Sequence, residues 1–177
     1  SGIPYGVAFV KNSYVGRTFI KPKQSARESS VRVKLNALRE VVKGKRVVMI
    51  DDSIVRGTTS ARIVKMIKDA GAKEVHIRPA CPPLVYGCKF LNFSRSSSEM
   101  DLITRRVIAR LEGTEDVSEE VLEQYTDPES EKYDQMVEEI RKELNFTSLR
   151  FNRLDDMLEA VGIPKEKLCT YCWNGKD

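Results

Sequence analysis

The sequence predicts an α/β fold in which helices flank a parallel sheet, followed by a mainly helical C-terminal part. Short, β-branched apolar runs alternate with amphipathic runs in the first half of the chain, and the connections between them are short. The second half carries mostly apolar positions at helical spacing. At 177 residues, with 41% hydrophobic and 32% charged residues, the chain has the length and composition of a soluble globular protein with one sizeable core.

Three apolar runs predict the strands of the first half, with a helix in each interval. The strands are Tyr5 to Val10, Val47 to Ile50 and Glu74 to Pro79, and the helices run from about Glu28 to Val42 and from Ser60 to Ala70. Gly44 and Gly71 follow the two helices as stop signals. Strands joined by helices through short connections pair in parallel, and such a sheet binds its ligand beyond the carboxyl ends of its strands.

The second half predicts four helices and one short strand. Three of the helices are predicted from start signals at their N-termini, which are the pairs Ser98 and Asp101, Asp116 and Glu119, and Asp127 and Pro128. The fourth helix contains Leu154 to Val161 and follows a strand from Ser148 to Phe151. Between Glu112 and Glu143 stand 13 acidic and 3 basic residues, which favours a solvated helical surface. We expect the sheet in residues 1–93 and the helical part in residues 94–177.

The stretch RVVMIDDSIVRGTTS, residues 46–60, places an acid pair and a small-residue loop directly after the central strand. Asp51 and Asp52 stand at the carboxyl end of that strand. The predicted binding residues after them are Ser53, Ile54, Val55, Arg56, Gly57, Thr58, Thr59 and Ser60. Backbone N–H groups of such a loop and of the first helical turn converge on one spot, where the helix dipole adds positive potential.

This order of groups suits a sugar phosphate. Gly57 lets the backbone approach a phosphate closely, and the hydroxyl groups after it can donate hydrogen bonds to the phosphate oxygens. Asp51 and Asp52 can accept hydrogen bonds from vicinal ribose hydroxyls and can hold Mg²⁺, which prefers oxygen ligands. The alternative is an ordinary strand–loop–helix unit with a solvated acid pair.

The motif VVMIDDSIVRGTTS resembles the phosphoribosyl pyrophosphate (PRPP) signature of type I phosphoribosyltransferases, and its wording is that of the glutamine PRPP amidotransferase family. The resemblance covers residues 1 to about 93 well and residues 146 to 175 moderately. It implies a Rossmann-like, type I phosphoribosyltransferase-like sheet in residues 1–93. It also implies the displacement of pyrophosphate from PRPP by ammonia, the first committed step of purine synthesis, with Asp51 and Asp52 binding ribose hydroxyls and Mg²⁺.

Residues 11–27 are predicted to form a loop, because they carry Gly, Pro and five basic residues with little periodicity. The segment YVGRTFIKP looks like the flexible loop of the amidotransferase family, which orders when PRPP binds. The resemblance makes Arg17, Lys21 and Lys23 cations of a lid that closes over the diphosphate. The alternative is a solvated surface loop.

Three cysteines are candidate ligands of a metal centre. Cys169 and Cys172 form a C-x-x-C pair, and Cys88 is distant in sequence. Converging thiolates suit Zn²⁺ or an iron–sulfur cluster, while a redox pair or free thiols are the alternatives. By resemblance, the three fall on ligand positions of the 4Fe-4S cluster found in one branch of the family. Cys81 is expected to be a small buried residue, and His76 a structural residue of its strand.

The amidotransferase family begins with a glutaminase domain whose N-terminal cysteine is the nucleophile. This sequence has no N-terminal Cys and no recognisable Cys–His pair. The resemblance places that domain, the first transferase strand, the diphosphate loop and the fourth cluster ligand upstream of Ser1. We therefore expect a fragment without glutaminase activity and with little transferase activity, whose ammonia comes from the upstream domain of the same chain, within a cytoplasmic homo-oligomer.

Charge and composition narrow the classes of partner. Residues 1–50 carry 11 Lys+Arg against 2 Asp+Glu, whereas the remaining residues carry 19 against 24. The basic N-terminal third of the chain suits phosphate-rich ligands, but the acidic remainder argues against nucleic acid as the main partner. No apolar run is long enough to cross a membrane. Three rival functions stay open: a nucleobase phosphoribosyltransferase, a PRPP-sensing regulator without catalysis, and a thiol-metal interaction module.

Overall fold

The computed structural model of the protein describes residues 2–11, 35–90 and 99–176, and it confirms the predicted α/β class. The strands are β1 (Phe9–Lys11), β2 (Leu35–Ala37), β3 (Arg46–Asp51), β4 (Glu74–Pro79) and β5 (Ser148–Leu149). The α-helices are α1 (Arg39–Val42), α2 (Thr58–Asp69), α3 (Ile103–Glu112), α4 (Glu119–Thr126), α5 (Glu131–Glu143), α6 (Leu154–Val161) and α7 (Tyr171–Asn174). Short 3₁₀ turns cover Glu99–Asp101 and Lys165–Lys167.

A parallel sheet in the order β3-β4-β5 carries the site. Arg46 of β3 stands opposite Glu74 of β4, and the pairing continues in register to Asp51 opposite Pro79. The short strand β5 joins β4 in the same direction, with His76 opposite Ser148. The carboxyl ends of the three strands therefore lie at one edge of the sheet, where a parallel α/β sheet binds its ligand.

The N-terminal predictions are wrong in two respects. The first strand is only three residues long, and it pairs antiparallel with β2 instead of joining the parallel sheet. Tyr5, predicted to begin a buried strand, is 92% exposed. The predicted helix from Glu28 to Val42 is extended at Leu35–Ala37 and helical only in α1, while its residues 28–34 lie outside the described part of the chain. Apolar positions two apart, at residues 35 and 37, lie on one face of a strand but not on one face of a helix.

The helices of the second half form where predicted, but their N-terminal caps differ. Ser130 caps α5 by accepting a hydrogen bond from the Lys132 N–H at 3.2 Å, one turn after the predicted start at Asp127. No side-chain cap bond is present at the starts of α3 and α4. Asp101 pairs with Arg56 instead of capping α3. Gly162 ends α6 in the left-handed conformation, as predicted.

One hydrophobic core joins the sheet to the helical part. It contains Val64 and Ile67 of α2, Ile77 of β4, Ile103 of α3 and Ile140 of α5, each at most 1% exposed. The core therefore includes residues on both sides of residue 93, where the sequence predicts a boundary between two parts; that division stays a prediction. Among the described residues, no helix is both long and apolar enough to span a membrane.

Candidate functional site

The acid pair lies at the carboxyl end of β3, where neighbouring backbone groups fix it. The Ala80 N–H donates to the Asp51 carbonyl at 2.8 Å, which ties this strand end to the loop after β4. The Asp52 N–H donates to the Asp51 carboxylate at 3.0 Å, and the Ser53 hydroxyl donates to the Asp52 carboxylate at 3.1 Å. Asp51 is half-buried and Asp52 is exposed, so the pair presents oxygen ligands to the space beyond the sheet edge.

Burial raises the pKa of the Asp51 carboxyl above its ordinary value. The hydrogen bond from the Asp52 N–H opposes this rise, while the negative charge of the Asp52 carboxylate adds to it. A bound cation would favour the charged form of both carboxylates. The ionised Asp51 carboxylate thus carries an electrostatic cost that a divalent cation or a hydrogen-bonding ribose would offset.

The loop after the acid pair ends at Gly57, the N-cap residue of α2. Gly57 has φ +77°, a left-handed conformation, and its carbonyl accepts the first helical bond from Ala61 at 2.9 Å. A side chain at this position would meet Ile103 Cδ1 at 2.7 Å and Leu144 Cδ2 at 2.9 Å, because α3 and the end of α5 pack against the loop. Only glycine satisfies both the backbone conformation and this close packing.

The first turn of α2 contains no acidic residue, so no carboxylate of that turn competes for its N–H groups, which have no partner within the helix. The polar side chains of this turn are hydroxyls. Thr58 is exposed, Thr59 is half-buried and Ser60 is buried. The helix has twelve residues, and its dipole adds positive potential at its N-terminus, where the loop ends. This is the arrangement that an oxyanion such as a phosphate monoester requires.

The predicted loop residues differ in what their side chains do. Ile54 is 2% exposed and belongs to the core, and Val55 is half-buried. The Arg56 guanidinium forms an ion pair with Asp101 at 3.2 Å, on the side of the 3₁₀ turn. These residues can contribute backbone N–H groups to a ligand, while their side chains hold the loop in place. The predicted lid residues Arg17, Lys21 and Lys23 lie outside the described residues, and their role stays a prediction.

The three candidate thiols come together, although 80 residues separate Cys88 from the C-x-x-C pair. The N–H groups of Val85 and Tyr86 donate to the Cys172 carbonyl at 3.0 and 3.1 Å, which docks the C-terminal segment on the loop after β4. Burial raises the pKa of the Cys172 thiol to about 12, with further contributions from a hydrogen bond to Cys88 and from the charges of Cys88 and Cys169. The thiols are therefore neighbours in the fold.

The three cysteines offer the thiolate ligands that Zn²⁺ and iron–sulfur clusters both take. In the described ranges, no three His, Cys, Asp or Glu side chains stand close enough together to hold one metal ion. A four-iron cluster spreads its ligands more widely than one ion does and takes thiolates. Cys88 is buried, Cys172 is half-buried and Cys169 is exposed.

Sequence reasoning missed the position of Cys81 relative to the acid pair. It is buried, as predicted, but it also lies close enough to Asp52 and Asp51 for their charges to raise the pKa of its thiol, in addition to the larger effect of burial. The indole N–H of Trp173 lies near the Cys81 sulfur, although it forms no hydrogen bond of regular geometry. The position of Cys81 in the sequence, two residues after the end of β4, was the signal from which its nearness to the acid pair could have been predicted. His76, by contrast, bonds to Ser148 and Glu74 within the sheet, as expected of a structural residue.

Comparisons with known proteins give consistent results, although no protein-family model matches the chain. The amidophosphoribosyltransferase of Archaeoglobus fulgidus is 55% identical over 67% of this chain and 26% of its own length. That of Methanothermobacter thermautotrophicus is 39% identical over 99% of this chain and 31% of its own length. The solved glutamine PRPP amidotransferase of Bacillus subtilis, complexed with ADP and GMP, is 41% identical over 99% of this chain and 33% of its own, with a TM-score of 0.67. The chain thus spans about a third of the length of its relatives.

Proposed function

The chain belongs to the amidophosphoribosyltransferase family, and on this premise we propose that it supplies the part of such an enzyme that binds PRPP and transfers its phosphoribosyl group to ammonia. The observation that supports this most directly is the sequence of groups at one sheet edge. Asp51 ends β3 and Asp52 follows it, and a loop that ends at Gly57 then leads into a helix N-terminus without acidic residues. The product of the reaction is 5-phosphoribosylamine, made in the first step of purine synthesis, with the ammonia supplied by a glutaminase domain of the same enzyme.

The residues divide into two roles. The N–H groups from Ser53 to Ser60, with the hydroxyls of Thr58 and Thr59, bind the 5′-phosphate, which anchors the substrate. Asp51 and Asp52 accept hydrogen bonds from the two ribose hydroxyls, so that the ring is held between the loop and the strand end. The bond between the ribose carbon and the pyrophosphate oxygen breaks with its electron pair going to pyrophosphate, the ammonia nitrogen bonds to that carbon, and the resulting ammonium loses a proton to give the amine. Negative carboxylates near the ring favour the positive charge that develops on the ribose.

We propose Mg²⁺ as the metal of this site. Its preference for oxygen ligands matches Asp51 and Asp52, and Mg²⁺ sites commonly use one or two carboxylates together with substrate phosphates. When bound, it would neutralise charge on the departing diphosphate. The lid cations Arg17, Lys21 and Lys23 are proposed to act on the same diphosphate.

An acceptor screen distinguishes this function from its closest rivals. In the full-length protein that contains this chain, supplied with PRPP and Mg²⁺, we expect pyrophosphate release to depend on ammonium and to be absent with purine and pyrimidine bases. Release with a base but not with ammonium would show a nucleobase phosphoribosyltransferase. Tight PRPP binding without release for any acceptor would show a regulatory module.

We further propose that Cys88, Cys169 and Cys172 ligate a 4Fe-4S cluster in the full-length protein. Support comes from the docking of the C-terminal segment on the loop after β4, which brings the Cys172 thiol near those of Cys88 and Cys169. The cluster would join two segments distant in sequence close to the edge of the sheet, and so stabilise that edge.

Anaerobic reconstitution of the full-length protein with ferrous iron and sulfide tests the ligand set. Replacing Cys88, Cys169 or Cys172 with alanine is expected to remove most of the bound iron and acid-labile sulfide, because each thiolate bonds to one iron. Cys81→Ala is the matched control and should retain the wild-type content. Equal retention by all four variants, or stoichiometric zinc in place of iron, would contradict the assignment.

A further inference from the structure

The N-terminal turn of α3 holds two consecutive carbonyl groups of the sugar-phosphate loop. The Ile103 N–H donates to the Val55 carbonyl at 2.9 Å. The Arg106 guanidinium, through Nη2, donates to the Arg56 carbonyl at 3.0 Å. Both carbonyls therefore point toward α3, on the outer side of the loop.

The direction of these carbonyls fixes the direction of two N–H groups. The peptide bonds of the described residues are all trans, and in a trans peptide the C=O and N–H bonds point in opposite directions. The N–H groups of Arg56 and Gly57 must then point away from α3, toward the inner side of the loop. Donors for an oxyanion are needed on that side, next to the first N–H groups of α2.

Arg106 is itself fixed by its surroundings. Its Nη1 donates to the Asp101 carbonyl at 3.0 Å, and its Nη2 lies 3.8 Å from a Glu143 carboxylate oxygen. The Asp101 side chain in turn pairs with the Arg56 guanidinium at 3.2 Å. A guanidinium that donates to a carbonyl forms a stronger bond than a neutral N–H does, and its planar fork lets it hold two carbonyls at once.

We propose that Arg106 is a positioning residue of the sugar-phosphate site: it holds the Arg56–Gly57 peptide so that the Gly57 N–H faces the phosphate. The proposal rests on the proposed function of the loop. Arg106 does not touch the ligand, and its effect passes through the orientation of one peptide group. Losing its bond would let that peptide rotate, which would turn the Gly57 N–H away and bring a carbonyl dipole toward a negative ligand.

The test uses the chain with Arg106→Met, which keeps much of the apolar stem and removes every donor. Arg110→Met is the matched control: Arg110 lies one turn later on α3, carries the same charge, and also pairs with Glu143, at 3.0 Å. We expect Arg106→Met to weaken ribose 5-phosphate binding about tenfold, equivalent to about 1.4 kcal/mol. Its Gly57 amide resonance should shift in the free protein, and Arg106→Lys should recover part of the affinity. Arg110→Met should leave both readouts at their wild-type values.

Three results would overturn the proposal: wild-type affinity in Arg106→Met, equal weakening in both methionine variants, or an unshifted Gly57 amide in a weakened variant. The second result would show a general charge effect instead of positioning. If Arg106→Met does not fold, the affinities of Arg106→Lys and Arg110→Lys for ribose 5-phosphate are compared instead. Weaker binding by Arg106→Lys alone would support the proposal, and equal affinities would overturn it. Absence of binding by the folded wild-type chain would instead contradict the proposed function of the site.

Discussion

Gly57→Val is expected to abolish sugar-phosphate binding and to lower the free energy of unfolding by more than about 3 kcal/mol, from left-handed backbone strain and overpacking together. The residue has φ +77°, which a β-branched side chain rarely adopts. Its Cβ would lie 2.7 Å from Ile103 Cδ1 and 2.9 Å from Leu144 Cδ2. These methyl groups are flexible ends, but both side chains are buried in the core and have little space to move.

The matched control is Gly113→Val, at the end of α3. Gly113 has φ +73°, nearly the same backbone conformation, but a side chain there would meet nothing within 4 Å. It should lose only about 1–2 kcal/mol, the cost of the left-handed conformation, and should bind ribose 5-phosphate normally. Chemical denaturation measures the difference between the variants. Equal losses of unfolding free energy in Gly57→Val and Gly113→Val would show that the packing of α3 against the loop contributes nothing to the destabilisation.

Replacing both acids, as Asp51→Asn with Asp52→Asn, is expected to abolish phosphoribosyl transfer in the full-length protein and to leave the fold intact. The amides are close to the carboxylates in size, so packing is preserved. They lose the negative charge that would favour the cationic ribose and bind Mg²⁺. Asp69→Asn is the control, since Asp69 is an exposed acid at the far end of α2, paired with Lys65 at 2.7 Å. Near-wild-type turnover in the double variant would remove the acid pair from the mechanism.

The single variant Asp51→Asn should also make the chain more stable at neutral pH. Burial raises the pKa of Asp51 in the folded protein above its ordinary value of 3.8, so the folded state binds the proton more tightly than the unfolded state does. The resulting stabilisation is present below pH 3.8 and is lost as the pH rises through the higher, folded-state pKa. At pH 7 the wild type therefore carries a penalty that asparagine avoids. Thermal unfolding at pH 7 and at acid pH should show the gain only at the higher pH.

The part of the site that sequence reasoning could predict is its local chemistry. Asp51, Asp52 and Gly57 lie where the order of strand, acids, loop and helix places them, because strand direction and helix start are set by neighbouring residues. The parallel sheet and the helices of the second half follow from the same periodic patterns. The glycine was predicted for its approach to a ligand, whereas the structure shows that it also makes room for Ile103 and Leu144.

The parts that could not be predicted depend on contacts between distant segments. Leu35–Ala37 becomes a strand because β1 offers an antiparallel partner, which residue spacing cannot reveal. The bond from Arg106 to the Arg56 carbonyl depends on how α3 packs against the loop. The position of Cys81 beside the acid pair and the docking of Cys172 on the loop after β4 are likewise properties of the folded chain.

The most direct measurement is a calorimetric titration of the chain with ribose 5-phosphate, with Gly57→Val as the non-binding comparison. This ligand requires only the acid pair and the loop, both of which lie within the described residues. Saturable binding with one site per chain, lost in Gly57→Val and retained in Gly113→Val, is the predicted result. No binding by a demonstrably folded wild-type chain would contradict the assignment of this sheet edge as a sugar-phosphate site.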